Sequence, residues 1–289
     1  MERILYNGFL SGVSLSGTEY FYRNPLASDG HDTRSEWYST TCCPPNVQRI
    51  VASLPGYMLS VEGNAVWLHL YASMEARVPC GEDFVDLTVD TDYPWDGDIT
   101  VTVDLDTPRR FSLMMRIPQW SPGAEAEVNG KPIQEKLEPG TFLEISRTWH
   151  GGNTVKLRLP MRVRVMESNP RVNATSGKVA LARGPIVYCF EEPDNPNLSL
   201  ADAYLPPDAR DPRAWECEFR EDLLDGVVTL TGPGAIPDKP LSDLPLYAPA
   251  GSTEERTRWD SAQLTAIPYY AWANRGPATM RVWLPVRER

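Results

Sequence analysis

Val101-Thr102-Val103-Asp104-Leu105 alternates apolar and polar side chains with a period of two, so one face of this stretch is buried and the other is wet. The pattern recurs on both sides of it. Ala65–Tyr71, Phe84–Val89, Ile99–Leu105, Phe111–Ile117, Thr141–Ile145 and Thr154–Leu159 read as short strands. Turn signals separate them, among them Trp95-Asp96-Gly97-Asp98, Asn129-Gly130 and Gly151-Gly152-Asn153. Residues 61–165 therefore read as a β-sandwich domain. Met161–Met166 leads into a second all-β domain, 166–289, with strands at Lys178–Ala182, Ile186–Phe190, Val227–Leu230, Leu264–Tyr270 and Met280–Leu284. Its middle, 192–262, is rich in Pro, Asp and Gly and predicts long surface loops with a short helix near Asp222. No internal repeat is evident.

The first 60 residues follow a different period. Ile4, Leu5, Phe9 and Leu10 have helical spacing, and the segment opens at Met1 without a capping residue, as an internal piece of a longer chain would. A loop from Tyr20 to Leu26 and a polar stretch from Ser28 to Glu36 come next. A second helix is predicted with Pro44 and Pro45 in its first turn, Val47, Ile50, Val51 and Leu54 on one side, and Pro55-Gly56 as its stop. Two helices and a loop bury no core alone, so this segment must lean on another part of the protein.

The chain has 289 residues, 42% hydrophobic and 23% charged, which is ordinary for a globular protein of two or more domains. A formal charge of −11 argues against a nucleic-acid partner, which would require clustered Lys and Arg. No run of about 18 apolar residues predicts a membrane span. Five cysteines, two of them adjacent, do not make a disulfide framework. With no signal peptide at Met1, a reducing, cytoplasmic location is expected. Nine Trp and twelve Tyr suit sugar stacking, although such rings more commonly fill sandwich cores.

Cys42-Cys43-Pro44-Pro45-Asn46 is the stretch with chemistry in it. If the helix starts at the prolines, both thiols stand at its positive end, which favours thiolate, a nucleophile and a soft zinc ligand. Two donors do not complete a tetrahedral site. His31 and Glu36 have no metal spacing to the pair, and His69 and His150 belong to a strand and a turn. Cys80, Cys189 and Cys217 read as small buried hydrophobes. On spacing alone, the favoured reading of the pair is the bland one, buried thiols or a strained vicinal disulfide.

Read whole, the segment resembles a known family. Glu2-Arg3-Ile4-Leu5-Tyr6-Asn7-Gly8, Leu10 to Leu15, Phe21-Tyr22-Arg23-Asn24-Pro25-Leu26 and Cys42-Cys43-Pro44-Pro45-Asn46 are similar to the β-L-arabinofuranosidases of glycoside hydrolase family 127. So are Asp92-Tyr93-Pro94-Trp95-Asp96-Gly97, Arg116 to Trp120, Val128-Asn129-Gly130, Arg183 to Tyr188 and Ile267 to Gly276. The resemblance implies a mainly β chain: two β-sandwich domains preceded by the last helices of an (α/α)6 barrel, residues 1–60, the barrel being otherwise missing. It implies retaining hydrolysis with Cys42 as nucleophile, and a Zn2+ ion bound by Cys42, Cys43, a further Cys and a Glu. The last two ligands and the acid/base Glu are expected upstream, since nothing in residues 1–41 matches them; Glu36 reads as a solvated loop position. Thr40 stands where relatives carry a further, non-ligand Cys.

The implied substrate is a β-L-arabinofuranosyl glycan, with a second copy of the chain or a separately supplied barrel segment as the open protein partners. Of the other residues, Tyr6 and Asn7 line a sugar pocket or pack a helix, the latter being favoured. Asn24-Pro25-Leu26 is a site rim or a plain connection. Trp272, Asn274 and Arg275 suggest a sugar platform but read better as packing and a salt bridge, and Trp95 and Trp120 as core plugs. The acidic residues from Glu82 to Asp106 read as a solvated strand face. The competing reading is a non-catalytic β-sandwich accessory or assembly unit in which Cys42 and Cys43 are idle.

Overall fold

The computed structural model describes residues 1–81, 83–249 and 257–287. The fold is mainly β and divides into two compact units, residues 45–162 and residues 1–44 with 163–289.

In the unit of residues 45–162, two sheets each bury one face. One has the order Phe142–Trp149, Arg109–Arg116, Ala65–Leu68, Leu59–Glu62, with a parallel pairing of Ala65–Leu68 on Arg109–Arg116. The other runs Met74–Cys80, Asp83–Asp90, Asp98–Asp104, Asn153–Arg158, Glu125–Val128, Lys131–Pro132. The alternation that identifies these strands is also their burial pattern: Ile99, Val101 and Val103 are buried, while Asp98 and Asp104 are exposed. Asp83, Asp86 and Asp90 are likewise exposed, a solvated acidic face; Glu82 lies outside the described residues. Trp149 is fully buried, stacks on Phe111 and donates its indole N–H to the Phe111 carbonyl at 3.0 Å. Trp120 is a buried plug, and Trp95 is half-buried.

Met74–Cys80 is a further strand, absent from the sequence reading: its residues alternate, but Pro79 demotes the run. It sits at the end of its sheet, where the missing N–H of a proline does no harm. Pro55-Gly56 does not simply stop the second helix: Cys43–Ser53 is followed at once by a short helix, Pro55–Met58. Proline at the first position of a helix loses only a donor that would be unpaired anyway.

In the other unit, nine strands are linked, and one hairpin divides them. Lys178–Arg183 and Ile186–Glu191 pair only at Ala182–Val187 and Arg183–Ile186 before separating. Lys178–Arg183 then pairs with Val163–Glu167 and Leu284–Pro285. Ile186–Glu191 instead joins a sheet containing Trp259–Pro268, Thr279–Arg281, Val227–Pro237 and Glu216–Arg220. The stretch 192–262 has the long loops that its composition predicts, but it also holds two strands, Glu216–Arg220 and Val227–Pro237, the latter pairing with Trp259–Pro268 from Leu230 to Pro237. Near Asp222 the chain makes a turn, with positive φ at Leu224 (51°) and Asp225 (62°), rather than a helix. Residues 250–256 of that stretch lie outside the described residues.

The N-terminal segment leans on this second unit. Ala27–Asp29 pairs with Thr279–Arg281 as an edge strand. Ile4–Phe9 is a short, wide π-helical stretch closed by a 3-10 turn, Leu10–Gly12, not a regular α-helix. Its Asn7 is buried and acts as a surrogate peptide group. The carboxamide donates to the Pro185 carbonyl at 2.9 Å and accepts from the Val187 N–H at 2.7 Å, beside the point where the hairpin opens.

Gly97, in the turn after Trp95-Asp96, is required by close approach. Its carbonyl accepts the Leu159 N–H at 2.8 Å, and a Cβ on residue 97 would collide with the Leu159 carbonyl. Gly97→Ala is expected to destabilise the unit of residues 45–162 by at least about 2 kcal/mol, read as a lower urea midpoint. An unchanged midpoint would mean the turn yields without cost.

Candidate active site around the cysteine pair

The helix runs Cys43–Ser53, so Cys43 opens it and Cys42 immediately precedes it. The two sulfurs lie 3.5 Å apart and are not joined in a disulfide; Cys42 is exposed and Cys43 half-buried. Neither the buried-thiol reading nor the vicinal disulfide holds. Two thiolates on one tetrahedral zinc, each at about 2.3 Å, stand roughly 3.8 Å apart. The observed spacing and the softness of sulfur therefore suit the pair as half of a zinc site. Among the described residues no cluster of three or more His, Cys, Asp or Glu is placed to hold a metal.

The Cys43 thiol is held above its ordinary value, first by the hydrogen bond it shares with the Cys42 sulfur, then by burial and by repulsion from charge on Cys42.

Tyr22 fixes the loop that delivers Cys42. Its hydroxyl donates to the Thr40 carbonyl at 2.6 Å and accepts from the Cys42 backbone N–H at 3.1 Å. The ring stacks on Tyr38, centroid to centroid 3.8 Å, and Tyr38 in turn donates to the Tyr20 carbonyl at 2.8 Å. Tyr20 pairs through its backbone with Ser35. The role of Tyr22 is not readable from spacing, since 20 residues separate it from Cys42.

Beneath this frame, Phe21 faces inward and stacks on the fully buried Trp272, with centroids 5.0 Å apart. Arg34 is buried over the Phe21 ring and donates to the Trp272 carbonyl at 2.8 Å and to the Ser11 carbonyl at 3.0 Å. Burial lowers its pKa to about 10, which leaves it charged at neutral pH. Asn274 accepts the Leu15 N–H at 2.8 Å and ties down its own turn by donating to the Ala271 carbonyl. Arg275 bridges Glu191 at 2.6 Å and Asp194 at 2.7 Å. Burial opposes that charge, but the two carboxylates outweigh it and hold the guanidinium above its ordinary value. Trp272, Asn274 and Arg275 are therefore packing and anchoring residues. Asn24 likewise holds the segment together, accepting from the Ser11 hydroxyl at 2.7 Å and donating to the Gly8 carbonyl at 2.7 Å.

The remaining candidates lie apart. His31, Glu36 and His150 are exposed. Cys80 and Cys189 are buried, and burial raises both thiols. Cys217 is exposed, contrary to the sequence reading, because Glu216–Arg220 is an edge strand with little covering either face. His69 is half-buried, 2.7 Å from the Ser60 hydroxyl and edge-on to Phe142.

Three descriptions match successive parts of the chain. They are the β-L-arabinofuranosidase catalytic domain of glycoside hydrolase family 127 over residues 1–56, the middle domain over 65–161 and the C-terminal domain over 163–285. A non-reducing end β-L-arabinofuranosidase of Bifidobacterium longum subsp. longum is 36% identical, the alignment covering 98% of this chain and 44% of the relative. The crystal structure of a family 127 β-L-arabinofuranosidase from Geobacillus stearothermophilus superposes with a TM-score of 0.89 at 39% identity, over 99% of this chain and 46% of the other. A β-arabinofuranosidase of the same family gives 0.86 at 34% identity, over 99% and 45%. The chain thus spans somewhat under half the length of these relatives.

Burial, followed by the nearby Arg116 charge, lowers the His69 pKa below its ordinary 6.5. The folded state then binds fewer protons than the unfolded one, so this contribution is full above 6.5 and is lost as the pH falls towards the folded value. Between pH 7 and pH 5 the urea midpoint should fall more steeply in the native chain than in His69→Gln. Parallel slopes would show that His69 is not linked to folding.

Proposed function

Because the chain belongs to glycoside hydrolase family 127, the β-L-arabinofuranosidase family, we propose that it carries the nucleophile half of a retaining β-L-arabinofuranosidase site. Cys42 is the nucleophile, and Cys42 and Cys43 are the residues that would hold Zn2+. Bound there, the ion would keep sulfur deprotonated near neutral pH. The observation that carries the reading is the side-by-side placement of the two thiols, 3.5 Å apart, at the start of the helix.

In the first step the Cys42 sulfur attacks the anomeric carbon of the furanoside. A C–S bond forms as the glycosidic C–O bond breaks, and the leaving oxygen takes a proton from a carboxylic acid. In the second step water, deprotonated by the same carboxylate, attacks that carbon and releases the Cys42 thiolate. Two inversions give net retention, as in retaining enzymes that use a carboxylate nucleophile. The acid/base Glu, a further Cys and the Glu ligand would come from the rest of an (α/α)6 barrel of which residues 1–60 are the last helices, ahead of the two β-sandwich domains.

Exposed apolar side chains in residues 1–60 support a larger catalytic body. In the unit of residues 1–44 with 163–289, Ile4 is 69% exposed and Trp37 57%, and Met1 and Leu26 are also exposed. In the unit of residues 45–162, Val51 and Tyr57 are exposed as well. Of the Cys43–Ser53 helix only Pro44 is buried. Exposed apolar side chains of this kind are suited to packing against further helices.

The competing reading, a non-catalytic accessory or assembly unit, draws on the absence of a three-donor cluster among the described residues. Turnover of an aryl β-L-arabinofuranoside, measured together with zinc content, separates the two. The enzyme should bind about one zinc, and Cys42→Ala should cut kcat by at least about a thousandfold, as loss of a covalent nucleophile does. Full turnover in Cys42→Ala would remove Cys42 from the chemistry. Zinc-free, inactive protein, even with a barrel segment supplied in trans, would favour the accessory unit.

A further inference from the structure

We propose that Tyr22 is a positioning residue for the nucleophile, a peg whose hydroxyl sets the main chain at Cys42. The assignment rests on the reading of Cys42 as nucleophile, but the geometry behind it stands independently. One oxygen serves two backbone groups on either side of Thr41: it donates to the Thr40 carbonyl at 2.6 Å and accepts from the Cys42 N–H at 3.1 Å. Both groups precede the helix, where the regular ladder offers them no partner. Tyr22 thus does from a distance what a capping side chain does locally, fixing where the chain turns into the helix.

The peg is rigid for identifiable reasons. Tyr22 and Phe21 are successive residues whose rings serve different partners. Phe21 is held between Trp272 and Arg34. The Phe21 N–H donates to the Gly12 carbonyl at 3.0 Å, and the next backbone link in the other direction is Tyr20 to Ser35. The Tyr22 ring is then clamped by Tyr38, which is itself tied to the Tyr20 carbonyl. A short series of contacts therefore joins a fully buried tryptophan to the backbone of Cys42. Loss of the hydroxyl alone leaves the stacking and the anchor intact, while releasing Thr40 and Cys42.

The consequence is for chemistry rather than folding. A nucleophile must sit within a few tenths of an ångström of its line of attack, and small misplacements reduce turnover without changing substrate affinity. The proximity of the two sulfurs depends on the same stretch of backbone, so the peg also preorganises the pair as metal donors.

The test is Tyr22→Phe, compared with the native chain in three measurements. Hydrogen exchange at the Cys42 amide should be at least about tenfold faster in the variant, the worth of one modest hydrogen bond. The urea midpoint should be unchanged. In the enzyme, kcat should fall about tenfold or more with KM nearly constant, as expected for lost alignment. Tyr38→Leu removes the ring clamp but keeps the Tyr22 hydroxyl, and should give faster Cys42 exchange even if Tyr22→Phe does not fold. Equal Cys42 exchange in the native chain and the folded variants overturns the proposal. So does faster exchange with kcat unaltered in an active enzyme. If the native protein turns over no furanoside, the proposed function fails while the exchange data still decide whether Tyr22 sets Cys42.

Discussion

The stacking of Phe21 on Trp272, with Arg34 laid across Phe21, is the contact on which the placement of the cysteine pair depends. It joins a segment that has no core of its own to a β-sheet unit that has one. Burial of a tryptophan and a phenylalanine is worth about 2–3 kcal/mol each, and their stacking about 1 kcal/mol more. That is enough to order a loop whose backbone pairing from Val13 to Ser35 is sparse: the bridges Val13–Tyr20 and Tyr20–Ser35 and the short edge strand Ala27–Asp29. Arg34 converts the stack from adhesion to registration, because its two bonds run to carbonyls on different segments, Ser11 and Trp272. A purely apolar contact could slide; a buried guanidinium with fixed acceptors cannot do so without leaving a charge unpaired.

The turn that presents Trp272 is itself held from below. Glu191 is fully buried and accepts the Ala273 N–H at 2.7 Å while paired with Arg275. Burial raises the Glu191 carboxyl, and the Ala273 N–H and Arg275 limit that rise. The arrangement fits the positive φ of Ala273, 55°, a conformation that a non-glycine residue keeps only when its neighbours impose it. Trp272-Ala273-Asn274-Arg275 thus resembles a ligand platform in sequence but is an anchoring device in three dimensions.

Central strands were legible in the sequence for a simple reason: Ile99, Val101 and Val103 face a core and their neighbours face water, so burial and alternation are the same fact. Two edge strands were not. Met74–Cys80 alternates but carries a proline, which demotes it, and Glu216–Arg220 alternates over only five residues whose side chains are nearly all exposed. The opened hairpin at Ala182–Val187 was also hidden, because both of its strands are apolar and nothing local marks where pairing ends. In the site, the adjacent cysteines and prolines identified the helix start, since proline tolerance is a local property. Tyr22 and Asn7 were invisible as functional parts because each works through backbone groups far along the chain, 20 and about 180 residues away. A carbonyl or an N–H looks the same in every residue type, and sequence carries no label for which one a distant side chain will meet.

That distinction also explains how the resemblance and the chemistry divide. The stretches of sequence that identify the family are mostly not those that react. Phe21 to Leu26 supplies a core anchor, a peg, and in Asn24 and Pro25 two acceptors, met by the Ser11 and Tyr269 hydroxyls. Asp92 to Gly97 supplies a turn in which residue 97 must lack a side chain. Cys42-Cys43 offers adjacent soft sulfur groups able to attack or to bind a metal, the first exposed and the second half-covered. Thiols left this accessible, on a loop fixed by a tyrosine peg and a buried arginine, gain nothing for stability from their position. That accessibility is what the proposed role of Cys42 as nucleophile requires.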